Sequence, residues 1–389
     1  MCELFAHNQD FFMAVIHKTF SQDQYTVTYK VQVEEDGLRL DRFLQQHLPA
    51  FSRQALQKKI ESGEVSCPTR TLIPGRKVRT GEMISVTSKR GQQEVETWGE
   101  QNLSLDPPQI IYADQNLLAI NKPPYMATHP AGKHLFNCAT VYFGDLLQQT
   151  IHSIHRLDRE TSGLLLLGKN APTAAKISGY FEQGLIRKCY FFIAHRLANA
   201  PTSKCFTATE RLQMGGNEED HTGKTRRQIR VKILPPTAHE GKTAWTDFVL
   251  LDLTKLIKGQ NPAYVLGLAF PRTGRQHQIR AHAAAHHLPL VGDKIYHLGR
   301  AVFERFKDGN ATAEDRALME LPRHALHALA LRIPYPEQDR PQIFQAPLPH
   351  DLQEWIKEKL KFDPALLQEQ IAQEITVHFA QTKDAPRLR

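Results

Sequence analysis

Residues Ser153 to Asn170 read SIHRLDRETSGLLLLGKN and set one carboxylate, Asp158, between the guanidinium groups of Arg156 and Arg159, just before four consecutive leucines. Leu164 to Leu167, bounded by Gly163 and Gly168, have the pattern of a strand buried on both faces. A carboxylate at the edge of such a strand is fixed in direction and partly desolvated, and neighbouring cations keep it ionised. Those are the conditions under which proteins present a reactive aspartate. An ordinary surface turn would use the same residues as solvated ion pairs worth about 0 to 1 kcal/mol. The apolar run that follows argues for the chemical reading.

Histidine offers a rival. His155 and Asp158, three residues apart, could join His277 and His282 around a metal ion in a hydrolase. The spacing is loose, no HExxH occurs, and 19 histidines make such coincidences common. No metal site is therefore expected. The five cysteines, at positions 2, 67, 138, 189 and 205, form no CxxC pair. That argues against a cysteine zinc site and a disulfide framework, and it fits a reducing, cytoplasmic compartment.

These residues need elements to position them, and the chain divides by texture. Residues 1–28 read as an extension. From 29 to 90, Leu38 to Leu48 places Leu40, Phe43, Leu44 and Leu48 on one helical face, ending at Pro49. Ser52 then caps a second helix that turns Ala55, Leu56 and Ile60 inward and stops at Gly63. Between Gly37 and Arg90 stand eleven Lys and Arg against four Asp and Glu, which is most of the chain's net charge of +8. Such concentration points to a surface that tracks phosphates. This unit, with Arg39, Asp41, Arg42, Ser52 and Arg53 in a helix, turn, helix pattern, resembles the αL RNA-binding module of the S-four type. That resemblance implies that its second helix lies against structured RNA, with Arg39, Arg42, Arg53, Lys58 and Lys59 at the interface.

Residues 91–107 are polar and aperiodic, a linker. From 108 to 360 short β-rich runs alternate with helices, among them one capped by Asn170 with Pro172 in its first turn, and one after Gly274. The mixture reads as α+β with a largely antiparallel sheet and flanking helices. Residues 201–242 look like an excursion between strands. Residues 361–389 form a tail with room for one amphipathic helix.

The segments INKPPYMATHPAG (120–132), HRLDRETSGLLLL (155–167), RKCYFFIAH (187–195), PRTGRQHQIRAHAAAHHLPLVGDKIY (271–296) and RHALHALAL (323–331), in this order, closely resemble the RluA-type pseudouridine synthases. The resemblance implies that Asp158 is the catalytic aspartate, that Tyr190 packs on the target base and that Arg280 partners the Asp158 carboxylate. It implies that Arg156, which helps to displace or replace the flipped nucleotide, contacts RNA together with Arg275 and His277. The residue types suit the chemistry. A flat tyrosine face stacks on a base, and an always-charged guanidinium keeps a carboxylate ionised in a dry pocket. Three positions depart from the family pattern: Phe192 stands where a small residue is usual, and His287 and His297 replace glycines.

An isomerisation needs neither redox cofactor nor energy donor, so no cofactor is expected. The expected partner is RNA, ribosomal or transfer, with large-subunit ribosomal RNA preferred because the αL module precedes the catalytic unit. A non-catalytic RNA-binding protein is the remaining alternative, and binding alone would not require Asp158, Tyr190 and Arg280 together. No stretch approaches a membrane span, and the protein is expected to act as a monomer.

Overall fold

A computed structural model describes residues 15–20, 24–48, 51–89, 108–130, 138–215, 217–219, 225–227, 230–254, 263–307, 310–335 and 340–380. They fall into two units: residues 1–101 with 127–151, and residues 102–126 with 152–389.

The first unit holds strands β1 (Val15–Phe20), β2 (Gln24–Lys30), β3 (Val65–Ser66) and β4 (Met83–Lys89), in the order β1-β2-β4-β3, with helices α1 (Leu40–His47), α2 (Arg53–Glu61) and α3 (Ala139–Leu147). Leu40, Phe43, Leu44, Leu56 and Ile60 are buried against Val27, Tyr29, Ile84 and Val86, as the helical periodicity requires. Ser52 Oγ accepts the Ala55 N–H at 3.2 Å and caps α2. The sheet begins at Val15, inside the stretch read as an extension. The reason lies in β2, whose outer face is threonine. Thr26 and Thr28 hydrogen-bond Thr87 and Ser85 across the sheet at 2.9 and 2.8 Å, so polar residues stabilise a strand that looks hydrophilic. Residues 127–151, read within the second domain, also belong to this unit, where α3 lies beside the edge strand β1.

The second unit contains β5 (Gln109–Ala113), β6 (Leu117–Lys122), β7 (His152–Ser153), β8 (Ser162–Gly168), α4 (Ala171–Glu182), β9 (Arg187–His195), β10 (Cys205–Ala208), β11 (Arg211–Gln213), β12 (Asn217–Glu219), β13 (Thr225–Arg227), β14 (Lys232–Leu234), β15 (Thr246–Leu250), β16 (Tyr264–Pro271), α5 (Gln278–Ala285), α6 (Arg300–Lys307), α7 (Ala313–Met319), β17 (Leu326–Ile333), β18 (Gln342–Gln345), α8 (His350–Trp355) and α9 (Gln368–Ala380). The main sheet runs β10-β15-β16-β9-β17-β8-β6-β5, with β18 on β17 and β7 on β8. Its pairings are antiparallel except β8 with β17, which gives the expected α+β architecture.

Strand β8 is the leucine run, and all seven of its residues are buried. Gly163 has φ +107°, and a Cβ there would stand 2.2 Å from the Ala328 carbonyl oxygen, so only glycine lets β17 approach. The large Phe192 has a similar explanation. Its partner across β16 is Gly267, where a Cβ would meet the Phe192 ring at 2.5 Å. The bulk on β9 is thus matched by a void on β16.

Two further boundaries differ from the sequence reading. The excursion starts inside the sheet, because β10 pairs with β15, and only β11–β14 and β12–β13 form separate hairpins. The segment after 360 is core as far as Ala380: Phe362, Leu367, Ile375 and Phe379 join the buried cluster of β9, β16 and α8. Among the described residues no helix is long and apolar enough to cross a membrane.

Candidate active site

The chain leaves β7, turns through residues 154–161 and enters β8. Leu157 anchors the turn by burial, and the Asp158 carbonyl accepts the Thr161 N–H at 3.0 Å. Lys122, fully buried, donates to the carbonyls of Pro123, Met126 and Arg159 at 2.8, 2.9 and 3.3 Å. Burial pushes its ammonium well below the ordinary lysine range, with the Arg323 charge adding to the effect. Glu160 is tied to Lys294 at 2.6 Å and lies 3.4 Å from His324, whose other nitrogen meets the Thr161 hydroxyl at 2.8 Å. The turn carrying Asp158 is therefore fixed from three sides.

The Asp158 side chain is 28% exposed, so one edge reaches solvent while the other meets protein. Its Oδ2 lies 3.3 Å from Arg280 Nη1 and 3.8 Å from His277 Nε2. Neither flanking arginine pairs with it. Arg156 is exposed, and the Arg159 guanidinium lies over the Tyr125 ring at 5.4 Å. The counter-ion of Asp158 thus comes from α5, more than a hundred residues downstream, and not from the arginines beside it. In the turn, adjacent side chains point in different directions, so neighbours in sequence are not neighbours in space.

Arg280 is itself held. Its Nε and Nη2 donate to the two oxygens of Asp293 at 2.7 and 2.8 Å, and Asp293 also accepts the N–H groups of Ile295 and Tyr296 at 2.9 and 3.0 Å. A buried bidentate pair of this kind fixes the guanidinium plane. Burial pushes the Asp158 carboxyl upward, yet in the acid range where the two histidines can carry charge, His277, Arg280 and His324 together bring it below the usual aspartate range. Arg280 is the permanent one. His277 is driven down to about 4, chiefly by burial and then by Arg280, and is uncharged at neutral pH.

Tyr190 is half-buried on β9, with Ala269 opposite it on β16 and Ala328 opposite it on β17. Small residues on both sides leave its ring free of bulky cross-strand neighbours. Burial, and then the Asp158 charge, push its hydroxyl well above the ordinary tyrosine value, so it is protonated at neutral pH and senses Asp158. Gln278, at the start of α5, accepts the Arg275 N–H at 2.9 Å and the Thr273 hydroxyl at 2.7 Å, shaping the turn that carries Arg275. Arg275 donates Nε to the Thr243 carbonyl at 3.0 Å. Asp158, Arg280 and His277 are thus brought together, and Tyr190 lies within reach of the Asp158 charge. The His277 side chain is only 7% exposed and faces the carboxylate.

The rival metal set is not assembled. His155 accepts the Leu166 N–H at 3.0 Å and packs on Phe181, and His282 bonds the Thr246 hydroxyl at 2.9 Å and the Glu210 carbonyl at 3.0 Å. Both are satisfied structural histidines. Among the described residues no three His, Cys, Asp or Glu side chains gather to hold a metal ion. Asp293 had no role in the sequence reading. The available signal was an isolated acid closing the apolar run LPLVGD.

In the first unit Asp41 is fully buried and collects Arg39, Arg53 and Gln57, with Arg53 and Gln57 each at 2.9 Å. Both arginines remain more than 40% exposed, their planes fixed by the hidden carboxylate. Arg42 and Lys58 are exposed, whereas Lys59 is paired with Glu64.

A family of RNA pseudouridylate synthases matches residues 116–285. The ribosomal large subunit pseudouridine synthase D of Vibrio vulnificus is 30% identical over 350 residues, covering 87% of this chain and 96% of its own. The ribosomal large subunit pseudouridine synthase C of Rickettsia prowazekii is 28% identical over 267 residues, covering 66% and 82%. The solved human RNA pseudouridylate synthase domain containing 1 is 21% identical, covers 71% of this chain and 96% of its own, and superposes with a TM-score of 0.49.

Proposed function

This chain belongs to the RNA pseudouridylate synthase family and is an RNA pseudouridine synthase; from that premise we propose that it isomerises uridines of large-subunit ribosomal RNA, with Asp158 as the reacting carboxylate. The observation that carries the site assignment is the half-open carboxylate of Asp158 on the buried Arg280, which is itself clamped by Asp293. One N–H at 3.3 Å keeps Asp158 charged and leaves its second oxygen unbound by arginine. The names of the relatives support ribosomal RNA as the substrate.

In this reading the target uridine leaves its stack and lies with its base on the Tyr190 face. The carboxylate attacks the ribose carbon, and the glycosidic electron pair leaves on the uracil nitrogen. The base turns over, carbon 5 bonds to the ribose carbon as Asp158 is released, and the proton of carbon 5 is lost to solvent while one is gained at the freed uracil nitrogen. Atoms balance without an added reactant. Arg156 and Arg275 contact the RNA near the displaced nucleotide. The first unit docks RNA through Arg39, Arg42, Arg53 and Lys58, with Lys59 at the margin because Glu64 already holds it. The reading takes the protein as a monomer acting in the cytoplasm.

The test is a map of pseudouridines in ribosomal and transfer RNA from cells with and without the protein. Loss of one or more large-subunit sites, restored by wild type but not by Asp158→Asn, supports the reading. Loss confined to transfer RNA would overturn the substrate.

A further inference from the structure

Tyr296, on the loop after α5, is 7% exposed, and its hydroxyl has two described partners. The backbone N–H of Val231 lies 3.1 Å from its oxygen, and His277 Nδ1 lies 3.2 Å away. The Val231 N–H can only donate, so it takes a lone pair of the hydroxyl oxygen. Among the described residues the hydroxyl proton then has one acceptor in reach, the Nδ1 of His277, and a buried donor is rarely left unpaired. That nitrogen must be bare. The imidazole proton therefore sits on Nε2, the atom 3.8 Å from Asp158 Oδ2.

The surroundings reinforce the arrangement. The guanidinium carbons of Arg280 and Arg230 lie 5.3 and 5.6 Å from the centre of the Tyr296 ring. His277 meets that ring edge-on and has φ +53°, a left-handed backbone that turns its side chain toward Asp158 at the start of α5. The charged or titratable groups around the imidazole are Asp158, Arg280, Asp293, His324 and Tyr296.

We infer that His277, held in its Nε2–H tautomer by the Tyr296 hydroxyl, is a positioning residue that donates to Asp158 beside Arg280. The inference rests on the reading of Asp158 as the reacting carboxylate. At 3.8 Å the contact is longer than a hydrogen bond, as is common for catalytic contacts before substrate closes the site. A neutral donor has a specific use here. It orients the carboxylate without adding a second full positive charge, which would hold the attacking oxygen too tightly.

The donor role can be separated from the backbone role by rank order. Asparagine tolerates the left-handed conformation better than glutamine, but only glutamine carries an amide N–H out to the position of Nε2. If His277 serves the backbone, His277→Asn should outperform His277→Gln. If it serves as donor, His277→Gln keeps kcat within about threefold of wild type, while His277→Asn loses about tenfold or more with little change in KM. In ¹⁵N-histidine spectra of the full chain, the wild type should show the Nε2–H tautomer at residue 277, and Tyr296→Phe should lose that preference with a similar fall in kcat. The spectra decide the matter where a substitution at 277 fails to fold. Asn equal to or better than Gln, or an Nδ1–H tautomer in the wild type, would overturn the inference. Turnover by an Asp158→Asn control would instead overturn the assignment on which it rests.

Discussion

Arg280 and Asp158 meet through a single nitrogen, Nη1, at 3.3 Å, because the other two nitrogens of that guanidinium bond Asp293. The division matters chemically. Asp293 fixes where Arg280 points, and Arg280 keeps Asp158 ionised without enclosing it.

This geometry predicts the acidic limb of the pH profile. Burial raises the Asp158 carboxyl and the surrounding charges lower it, for a net depression. The reactive form is the carboxylate, so the wild type should keep activity down to a lower pH than an ordinary buried aspartate would allow. In Arg280→Met the burial effect is left without its permanent opposing charge. The acidic limb of kcat/KM should then move up by about 1 unit or more. A limb in the same place would remove Arg280 as the counter-ion.

The fit of Phe192 over Gly267 is testable through stability. Gly267→Ala places a methyl group 2.5 Å from the ring and 2.9 Å from the Val249 carbonyl oxygen. It should cost about 1 to 3 kcal/mol by urea denaturation. In a Phe192→Ala background the penalty should shrink but not vanish, since the carbonyl clash remains. Equal penalties in both backgrounds would show that the two residues are not coupled.

Much of this arrangement was legible in the residues themselves. The helical faces around Leu40, Phe43, Leu44, Leu56 and Ile60, the cap at Ser52 and the buried leucine strand follow from periodicity and capping chemistry. The resemblance to the RluA-type pseudouridine synthases pointed to Asp158, Tyr190 and Arg280. What sequence cannot display is distance in space. The arginines beside Asp158 looked like its partners, and the fold sends them elsewhere. Asp293, Tyr296 and Glu160 acquire their roles only when loops far apart in sequence converge on one turn. Strand β2 hid behind threonines whose hydroxyls bond Thr87 and Ser85 of β4, and the tail's helix was expected but not its place in the core, because a polar helix reveals its buried Ile375 and Phe379 only once a core exists to receive them.

The basic first unit carries a prediction about salt. If Arg42 and Lys58 contact phosphates, replacing each with Gln should flatten the slope of log affinity against log salt by about 0.7 to 0.9 per contact, on a long structured ribosomal RNA fragment. Lys59→Gln should change the slope less, because Glu64 already holds that ammonium. Equal slopes for all three variants and the wild type would leave the unit without a docking role.

Buried histidines should shape stability toward acid. Burial drives His327 down to about 3 and His195 to about 4, and each stays neutral in the folded chain. The unfolded chain protonates them near 6.5, so below that pH it binds more protons than the folded chain. Stability should be full above about 6.5 and decline as pH falls toward 4, by up to about 1.4 kcal/mol per unit for each histidine. Urea midpoints that are flat from pH 7.5 to 5.5 would contradict neutral burial of these rings.

The central claim is that Asp158 forms the bond to the ribose. The most direct measurement is tritium release from carbon 5 of labelled uridine in a ribosomal RNA substrate, with wild type and Asp158→Asn compared beside a filter-binding titration. The substitution keeps size and removes nucleophile and charge. Binding energy resides in phosphate contacts and the stacking face, so affinity should stay within about tenfold, roughly 1.4 kcal/mol. Tritium release should fall to background. Substantial release by Asp158→Asn would contradict the account.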